Sequence, residues 1–215
     1  MLAPLYPILD THLLTARSLD LESLATAWQA AGVTLLQYRN KQGNAREMLR
    51  DASRMRKIFP ANGVARLILN DRPDLALLAD FDGVHVGQGD VSVEDARRIV
   101  GANRWVGAST HSPEQVMEAD KTTCHYIAYG PIFPTGSKNN PDPTVGLAGL
   151  SAARTLTTKP LVAIGGVTRK NCRSVIDAGA DSVAVISDLL PGCEDNNGDS
   201  KSARQIIEEF LALLM

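Results

Sequence analysis

Four short polar clusters in this sequence each follow an apolar run, and their side chains are suited to holding a metal ion and phosphate groups. Together they supply two acids, amides, hydroxyls and three cations, which would collect at the ends of different strands. Such a collection suits a magnesium pyrophosphate and is typical of an enzyme rather than a scaffold. The clusters are residues 37–41 (QYRNK), 70–71 (ND), 87–90 (GQGD) and 135–138 (TGSK).

The two acids in these clusters predict a Mg²⁺ site. Asp71 and Asp90 fall just beyond the predicted third and fourth strands, which are neighbours in a barrel. Hard oxygen ligands from neighbouring strands can share one Mg²⁺ and leave positions for substrate oxygens and water. The alternative is that each acid only caps the helix that follows it.

Three polar residues at the end of the second predicted strand are expected to line the same site. Residues two apart on a strand face the same way, so Gln37, Arg39 and Lys41 would share one surface. A solvated strand tail is the alternative for this segment.

A phosphate site is predicted where the seventh and eighth strands end. The seventh strand runs into Gly165-Gly166, where the backbone can approach an anion closely and point N–H groups at it. The eighth strand runs into Ser187, whose hydroxyl and amide can join them. A tight strand–helix turn without a ligand is the alternative for the glycine pair.

The long loop at 134–146 carries a further candidate cation. Lys138 lies on this loop with Thr135 and Ser137, and it could close over a phosphate as a mobile cation with two hydroxyl donors. Loops at the ends of barrel strands are usually functional. The alternative is an ordinary surface lysine.

The elements that must position these clusters alternate along the chain. Short runs rich in Val, Ile and Leu show little polar alternation, as parallel strands covered on both faces must. Eight strand–helix units predict an α/β fold, a single (β/α)₈ TIM barrel domain over residues 1–215. The alternative, an open doubly wound sheet, lacks support because no Gly-x-Gly-x-x-Gly opens the first helix. The predicted strands are 5–9, 33–38, 67–70, 83–86, 105–109, 126–129, 161–164 and 182–186, and the predicted helices are 20–31, 44–58, 72–79, 92–100, 112–119, 147–157, 168–178 and 200–214.

Composition and charge exclude several classes of protein. The net charge is −2 and no basic run appears, so we expect no nucleic-acid partner. No apolar segment approaches the roughly 18 residues of a membrane helix, and the first nine residues lack the basic region of a signal peptide, so we expect a cytoplasmic protein without a membrane partner. Cys124, Cys172 and Cys193 are widely spaced, which predicts reduced thiols rather than a disulfide framework or a zinc site.

Taken in order, these motifs resemble the thiamine-phosphate synthase family, also called thiamine-phosphate pyrophosphorylase. The resemblance covers nearly the whole chain, and although no single motif is decisive, the ordered set is highly specific. The motifs are Gln37-x-Arg39-x-Lys41, Asn70-Asp71, His85-x-Gly87-Gln88-x-Asp90, Gly107-x-Ser109, Gly130-Pro131-Ile132-Phe133-Pro134-Thr135-x-Ser137-Lys138, Ala163-Ile164-Gly165-Gly166 and Ile186-Ser187.

The resemblance implies a TIM barrel and a transferase. That family joins 4-amino-2-methyl-5-hydroxymethylpyrimidine diphosphate to 4-methyl-5-(2-phosphoethyl)thiazole, or a carboxylated form of it, and yields thiamine monophosphate and pyrophosphate. It implies Mg²⁺ as the cofactor, held by Asp71 and Asp90. The implied contacts of the pyrimidine diphosphate are Gln37, Arg39, Lys41, Asn70, Ser109 and Lys138, and those of the thiazole phosphate are Thr135, Ser137, Gly166, Ile186 and Ser187. Within these sets, the residues expected to take part in catalysis are Arg39, Lys41, Ser109 and Lys138.

The residue types agree with that chemistry. Pyrophosphate is the leaving group, so its developing charge needs cations and a metal more than a base. The amino group of the pyrimidine can donate electrons, so the C–O bond can break first and the thiazole nitrogen can then attack. No side chain need be a nucleophile, and the sequence shows no Ser-His-Asp arrangement.

Two other functions remain open at the level of sequence. In the thiazole tautomerases, which share this fold, the strand-3 Asn-Asp and the strand-4 acid are lost and a His follows the strand-6 Gly, whereas this chain has Asn70-Asp71, Asp90 and Pro131. The second alternative function is that of a non-catalytic barrel that senses a phosphate ligand. A homo-oligomer is possible, since helix faces that dock on the barrel and on a partner look alike.

Six further residues have weaker signals. Asp10, at the end of the first strand, is left outside the predicted site. His85 is predicted to be a packed barrel residue rather than a base, and His111 to belong to the turn after strand 5. Three aromatic residues could border the pyrimidine: Tyr38, Tyr129 and Phe133.

Overall fold

The computed structural model describes residues 2–136, 142–192 and 202–215. Eight parallel strands pair in chain order, and the first strand pairs with the last to close the barrel. The predicted (β/α)₈ fold is therefore confirmed. The strands are β1 (Leu5–Asp10), β2 (Leu35–Arg39), β3 (Arg66–Asn70), β4 (Gly83–Val86), β5 (Trp105–Thr110), β6 (Tyr126–Tyr129), β7 (Leu161–Ile164) and β8 (Ser182–Val185).

The helices surround this barrel and connect consecutive strands. Most lie where the sequence predicts them, but a short additional helix directly follows β1. Its first turn is capped by Asp10, whose carboxylate accepts a hydrogen bond from the Leu13 amide. The helices are α1 (Thr11–Ala16), α2 (Leu21–Ala30), α3 (Ala45–Ile58), α4 (Pro73–Leu78), α5 (Val93–Val100), α6 (Pro113–Asp120), α7 (Gly146–Arg154), α8 (Cys172–Asp177) and α9 (Ala203–Leu214), with a 3₁₀ turn at Ser187–Leu189.

Each strand buries side chains on both of its faces, which gives the barrel two separate apolar layers. Along β1, Leu5 and Leu9 pack in the large layer between strands and helices. Tyr6 and Ile8, on the alternate positions, pack in the smaller layer inside the barrel. This is why the strands read as continuous apolar runs in the sequence.

At the end of the barrel where the strands begin, a partly buried arginine connects several segments. Arg97 on α5 donates to the carbonyl oxygen of Gly101 at 2.8 Å and to the His125 ring Nδ1 at 2.8 Å. The Val106 amide donates to the same ring nitrogen at 3.1 Å. Because Nδ1 accepts two hydrogen bonds, His125 must be neutral in this arrangement.

We expect the stability of the fold to fall in mild acid because of His125. Burial, followed by the charges of Arg97, Lys159 and Arg66, lowers the pKa of His125 below its ordinary value of 6.5. The unfolded chain then takes up a proton more readily than the folded chain. The stability that neutral His125 contributes is therefore complete above pH about 6.5 and is lost progressively as the pH falls below about 6.5 and through the lower pKa of the folded state. Thermal unfolding of the wild type and of His125→Asn, followed across this range, measures the effect.

The asparagine keeps an acceptor but does not titrate, so the unfolding temperature of His125→Asn should depend less on pH in this range. His12→Asn is the matched control, since His12 is exposed. Equal pH dependence in all three proteins would contradict the expectation.

Two predictions from composition can be compared with the described residues. Cys124 and Cys172 are buried and free, as predicted, and Cys193 lies outside the described residues. Within the described ranges, every helix is too short or too polar to cross a membrane.

Candidate active site

Residues from three of the four predicted clusters, 37–41, 70–71 and 135–138, line one pocket at the end of the barrel where the strands finish, and the cluster 87–90 contributes no lining residue. The strand register aligns Gln37 with Ile8, and Asn70 with His85, so side chains from neighbouring strands reach the same depth. A pocket opens at this end. Of the predicted substrate-binding residues, it is lined by Gln37, Arg39, Asn70, Ser109, Thr135, Gly166, Ile186 and Ser187.

The floor of the pocket is a chain of hydrogen bonds across the barrel interior. The Gln37 amide donates to the Tyr6 hydroxyl at 2.9 Å, and the Tyr6 and Tyr126 hydroxyls are 2.8 Å apart. Tyr126 lies 3.1 Å from Nδ1 of His85, whose Nε2 lies 2.8 Å from the Ser109 hydroxyl. Two predicted site residues, Gln37 and Ser109, thus lie at the two ends of this series of hydrogen bonds.

The hydroxyls in this chain are held in their neutral form. Burial raises the pKa of Tyr6 and raises that of Tyr126 well above its ordinary value. His85 also stacks on the Tyr126 ring, with 5.5 Å between the centroids. The prediction that His85 is a packed barrel residue fits this environment, in which the ring is fixed between two hydroxyl groups.

Arg39 and Lys41 each form an ion pair with an acid at the mouth of the barrel. Arg39 pairs with Asp10, and both side chains are largely buried. Lys41, just beyond the end of β2, pairs with Asp71 and is about half exposed. Of the three predicted residues on this surface, Gln37 and Arg39 line the pocket, while Lys41 lies beside the acid pair.

The two predicted metal ligands lie next to each other. Burial raises the pKa of Asp71; the nearby carboxylate of Asp90 raises it further, and Lys41 acts in the opposite direction. The Asp71 backbone has a φ of 65°, a left-handed conformation that aspartate tolerates better than most residues. Asp90 is oriented by the Gly87 amide, which donates to its carboxylate at 2.8 Å.

This acid pair fits a hard divalent cation. Two adjacent carboxylates repel each other unless a cation lies between or beside them. Among residues 2–136, 142–192 and 202–215, no three His, Cys, Asp or Glu side chains form a metal cluster. The protein would therefore offer two carboxylates and leave the other positions to substrate oxygens and water.

The opposite side of the pocket is built from backbone and small side chains. Gly165 and Gly166, after β7, have φ values of 96° and 64°, which side-chain-bearing residues rarely adopt. The Phe133 amide donates to the Gly165 carbonyl oxygen at 3.0 Å, which ties the segment after β6 to the glycine pair. This brings Thr135 to the same wall as Ser187. Two other predicted residues of this loop, Ser137 and Lys138, lie outside the described residues.

The structure adds pocket residues that sequence reasoning missed. Tyr6 lines the pocket, and Tyr126 packs with it inside the barrel. Tyr38, Tyr129 and Phe133 pack in the layer beneath the helices and do not border the pocket. The alternation of strand positions could have identified Tyr6, because it shares a face with the last residue of β1, Asp10.

His111 also lines the pocket, beyond the role in a turn that the sequence predicts. Its Nδ1 lies 2.6 Å from the Gly130 carbonyl oxygen, so it donates there. Its Nε2 lies 3.5 Å from the Asp142 carboxylate, which comes from the segment before α7. The ring thus connects β5 to both ends of the β6–α7 connection.

Residues 5–189 match the family model for thiamine monophosphate synthase. The chain belongs to this family. A thiamine-phosphate synthase of Koribacter versatilis is 60% identical over 185 residues, which cover 86% of this chain and 82% of the relative. The enzyme of that name from Methanosarcina mazei is 39% identical over 178 residues, covering 83% and 72% of the two chains.

A solved structure agrees with these relatives. The thiamine phosphate pyrophosphorylase of Pyrococcus furiosus superimposes with a TM-score of 0.81 at 33% identity, covering 98% of this chain and 94% of that one. The resemblance to thiamine-phosphate synthase and the assignment as a transferase are confirmed. Neither alternative, the thiazole tautomerase or the non-catalytic phosphate sensor, is supported by these relatives.

Proposed function

We propose that this protein couples 4-amino-2-methyl-5-hydroxymethylpyrimidine diphosphate with 4-methyl-5-(2-phosphoethyl)thiazole, or its carboxylated form. The observation that carries the proposal is that two anion-binding regions share one pocket. One side has Arg39, followed two residues later by Lys41, which pairs with Asp71, and the other side has the glycine pair and Ser187. A reaction between a diphosphate and a monophosphate needs both of these anion-binding regions.

The pyrimidine would lie over the neutral chain of hydrogen-bonding groups. Gln37 and Ser109 at its two ends can exchange hydrogen bonds with ring nitrogens and the amino group. Because Tyr6 and Tyr126 stay protonated, this series of hydrogen-bonded side chains brings no negative charge close to the reacting carbon. A polar but neutral floor orients the ring without offering a nucleophile to a cationic intermediate.

The diphosphate would lie toward Arg39, Lys41 and the acid pair. When bound by Asp71 and Asp90, Mg²⁺ would neutralise part of the diphosphate charge. Arg39 can donate several N–H groups to phosphate oxygens, and Lys41 adds a second positive charge. These groups stabilise the charge that develops as the C–O bond breaks and pyrophosphate leaves.

The thiazole phosphate would occupy the opposite wall. Backbone N–H groups at Gly166 and Ser187, with the Thr135 hydroxyl, suit its phosphate. Held there, the thiazole nitrogen attacks the methylene carbon of the pyrimidine, and a C–N bond replaces the broken C–O bond. The carboxylated form would lose carbon dioxide as well, which gives the same thiamine monophosphate.

A coupling assay tests this proposal. Purified protein is mixed with both substrates, with Mg²⁺ or with EDTA, and thiamine monophosphate and pyrophosphate are measured. We expect both products in equal amounts with Mg²⁺ and almost none with EDTA. The matched control omits the thiazole phosphate. Folded protein that gives no product with Mg²⁺ would overturn the proposed substrates, and full activity in EDTA would overturn the metal.

A further inference from the structure

We infer that Asp10 is a positioning residue that holds the Arg39 guanidinium toward the diphosphate side of the pocket. The inference rests on the proposed function, because it takes Arg39 as a ligand of the diphosphate. Asp10, the last residue of β1, has no place among the site residues that the motifs predict, since no motif includes it.

The pairing of these two residues is built into the barrel. Asp10 and Arg39 are direct register partners at the ends of the neighbouring parallel strands β1 and β2. Ile8 and Gln37, two positions earlier on each strand, are also partners and line the pocket floor. Alternation along a strand therefore directs both Asp10 and Arg39 to the pocket side.

Each oxygen of the Asp10 carboxylate has a different partner. Oδ1 accepts the amide of Leu13 at 3.1 Å as the cap of α1, and Oδ2 accepts a hydrogen bond from Nη1 of Arg39. The side chain of Asp10 is only 6% exposed and that of Arg39 is 19% exposed. The helix cap fixes the carboxylate, and the fixed carboxylate fixes one edge of the guanidinium.

Such an arrangement prepares Arg39 for an anion. A guanidinium has five N–H donors, so it can bond to Asp10 and still present donors to phosphate oxygens. A free arginine side chain would lose more rotational freedom when the ligand binds, whereas a pre-oriented one loses less. A displacement of about 1 Å at such a group can cost about 100-fold in rate.

Asp10→Asn separates the two roles of the carboxylate. Asparagine caps helices as well as aspartate does, so α1 keeps its cap. Its amide N–H₂ group would face the Arg39 guanidinium, donor against donor, and the orienting bond would be lost. Asp20→Asn is the matched control, because Asp20 caps α2 through the Ser23 amide at 2.8 Å and is exposed, away from the pocket.

The experiment measures kinetics for each substrate and direct calorimetric binding of inorganic pyrophosphate with Mg²⁺. We expect Asp10→Asn to lower kcat/KM for the pyrimidine diphosphate and to weaken pyrophosphate binding, each by roughly 10- to 100-fold. The KM for the thiazole phosphate should stay at the wild-type value, which general damage to the barrel would not allow. Asp20→Asn should match the wild type in every readout.

A double-mutant cycle checks that Asp10 acts through Arg39. In an Arg39→Ala background, Asp10→Asn should have no further effect on pyrophosphate binding. Tighter pyrophosphate binding by Asp10→Asn would overturn the inference, because it would mean that Asp10 only reduces the positive charge of the pocket. Wild-type binding by Asp10→Asn would also overturn it.

The assays also distinguish this inference from the proposed function. If the wild type neither couples the substrates nor binds pyrophosphate, both are wrong. If the wild type couples the substrates and Asp10→Asn behaves as Asp20→Asn does, only the role of Asp10 is wrong.

Discussion

Asp71→Asn and Asp90→Asn should each remove most of the coupling activity. Each change replaces a charged ligand with a neutral amide in a site that we propose holds Mg²⁺ and the leaving pyrophosphate. Loss of a group that stabilises developing charge costs on the order of 100-fold or more in kcat. Steady-state kinetics over a Mg²⁺ titration measure the loss, which added Mg²⁺ should restore only in part.

Asparagine is the right replacement at position 71. The backbone there has a φ of 65°, which Asn adopts nearly as well as Asp but which costs alanine more. Asp71→Ala would therefore combine loss of a ligand with backbone strain.

Asp74→Asn is the matched control for both variants. Asp74 is an exposed acid in the first turn of α4 and pairs with Arg72, only three residues from Asp71. It should keep wild-type kinetics. Wild-type dependence on Mg²⁺ in Asp71→Asn and Asp90→Asn would refute the assignment of the metal site to this acid pair.

Gly166→Ala should damage both the stability of the barrel and the binding of the thiazole phosphate. A Cβ at this position would lie 2.6 Å from the Pro134 carbonyl oxygen and 2.7 Å from Cβ of Phe133. The segment after β6 would have to move away from the glycine pair, and Thr135 with it. We expect a loss of about 1–3 kcal/mol in the free energy of unfolding from the steric overlap. The left-handed φ would add about 1–2 kcal/mol.

The functional part of this prediction concerns one substrate. The KM for the thiazole phosphate should rise about tenfold or more, since the backbone donors move from their positions. The KM for the pyrimidine diphosphate should change less. Kinetics with each substrate varied in turn, together with denaturant unfolding, measure both effects.

Gly32→Ala isolates the backbone strain. Gly32 has a φ of 90°, but a Cβ there would contact nothing within 4 Å. This variant should lose stability through strain alone and keep the wild-type KM for both substrates. An unchanged KM for the thiazole phosphate in a folded Gly166→Ala protein would place the phosphate elsewhere.

The sequence alone determined the fold class, the family and eight of the residues that line the pocket. Parallel strands buried on both faces must be continuous apolar runs, so the strands could be located by composition. Their carboxyl ends meet at one end of a barrel, so polar residues that follow them, such as Gln37 and Asn70, had to come close. Side-chain chemistry then indicated which of them suit a metal and which suit a phosphate.

Other features depended on local contacts that no pattern carries. The six-residue helix α1 is too short to show helical periodicity, and it forms where Asp10 caps it. The α8 helix begins at Cys172, four residues later than predicted, because the Thr168 amide bonds to the Asn171 side chain in a turn before it. Neither α1 nor the turn before α8 has the apolar periodicity that would reveal it in the sequence.

Only the tertiary structure decided which face of each strand points into the barrel and which residues are partners across strands. An apolar run looks the same from both faces, so composition alone does not tell which face points inward; in the structure Tyr6 faces the pocket and Tyr38 faces the helices. The pairing of Asp10 with Arg39 follows from the register of β1 on β2, which closure of the whole barrel sets. Residue types and their order are local properties of the chain. The strand register, and the face of the sheet on which each side chain lies, are properties of the closed barrel.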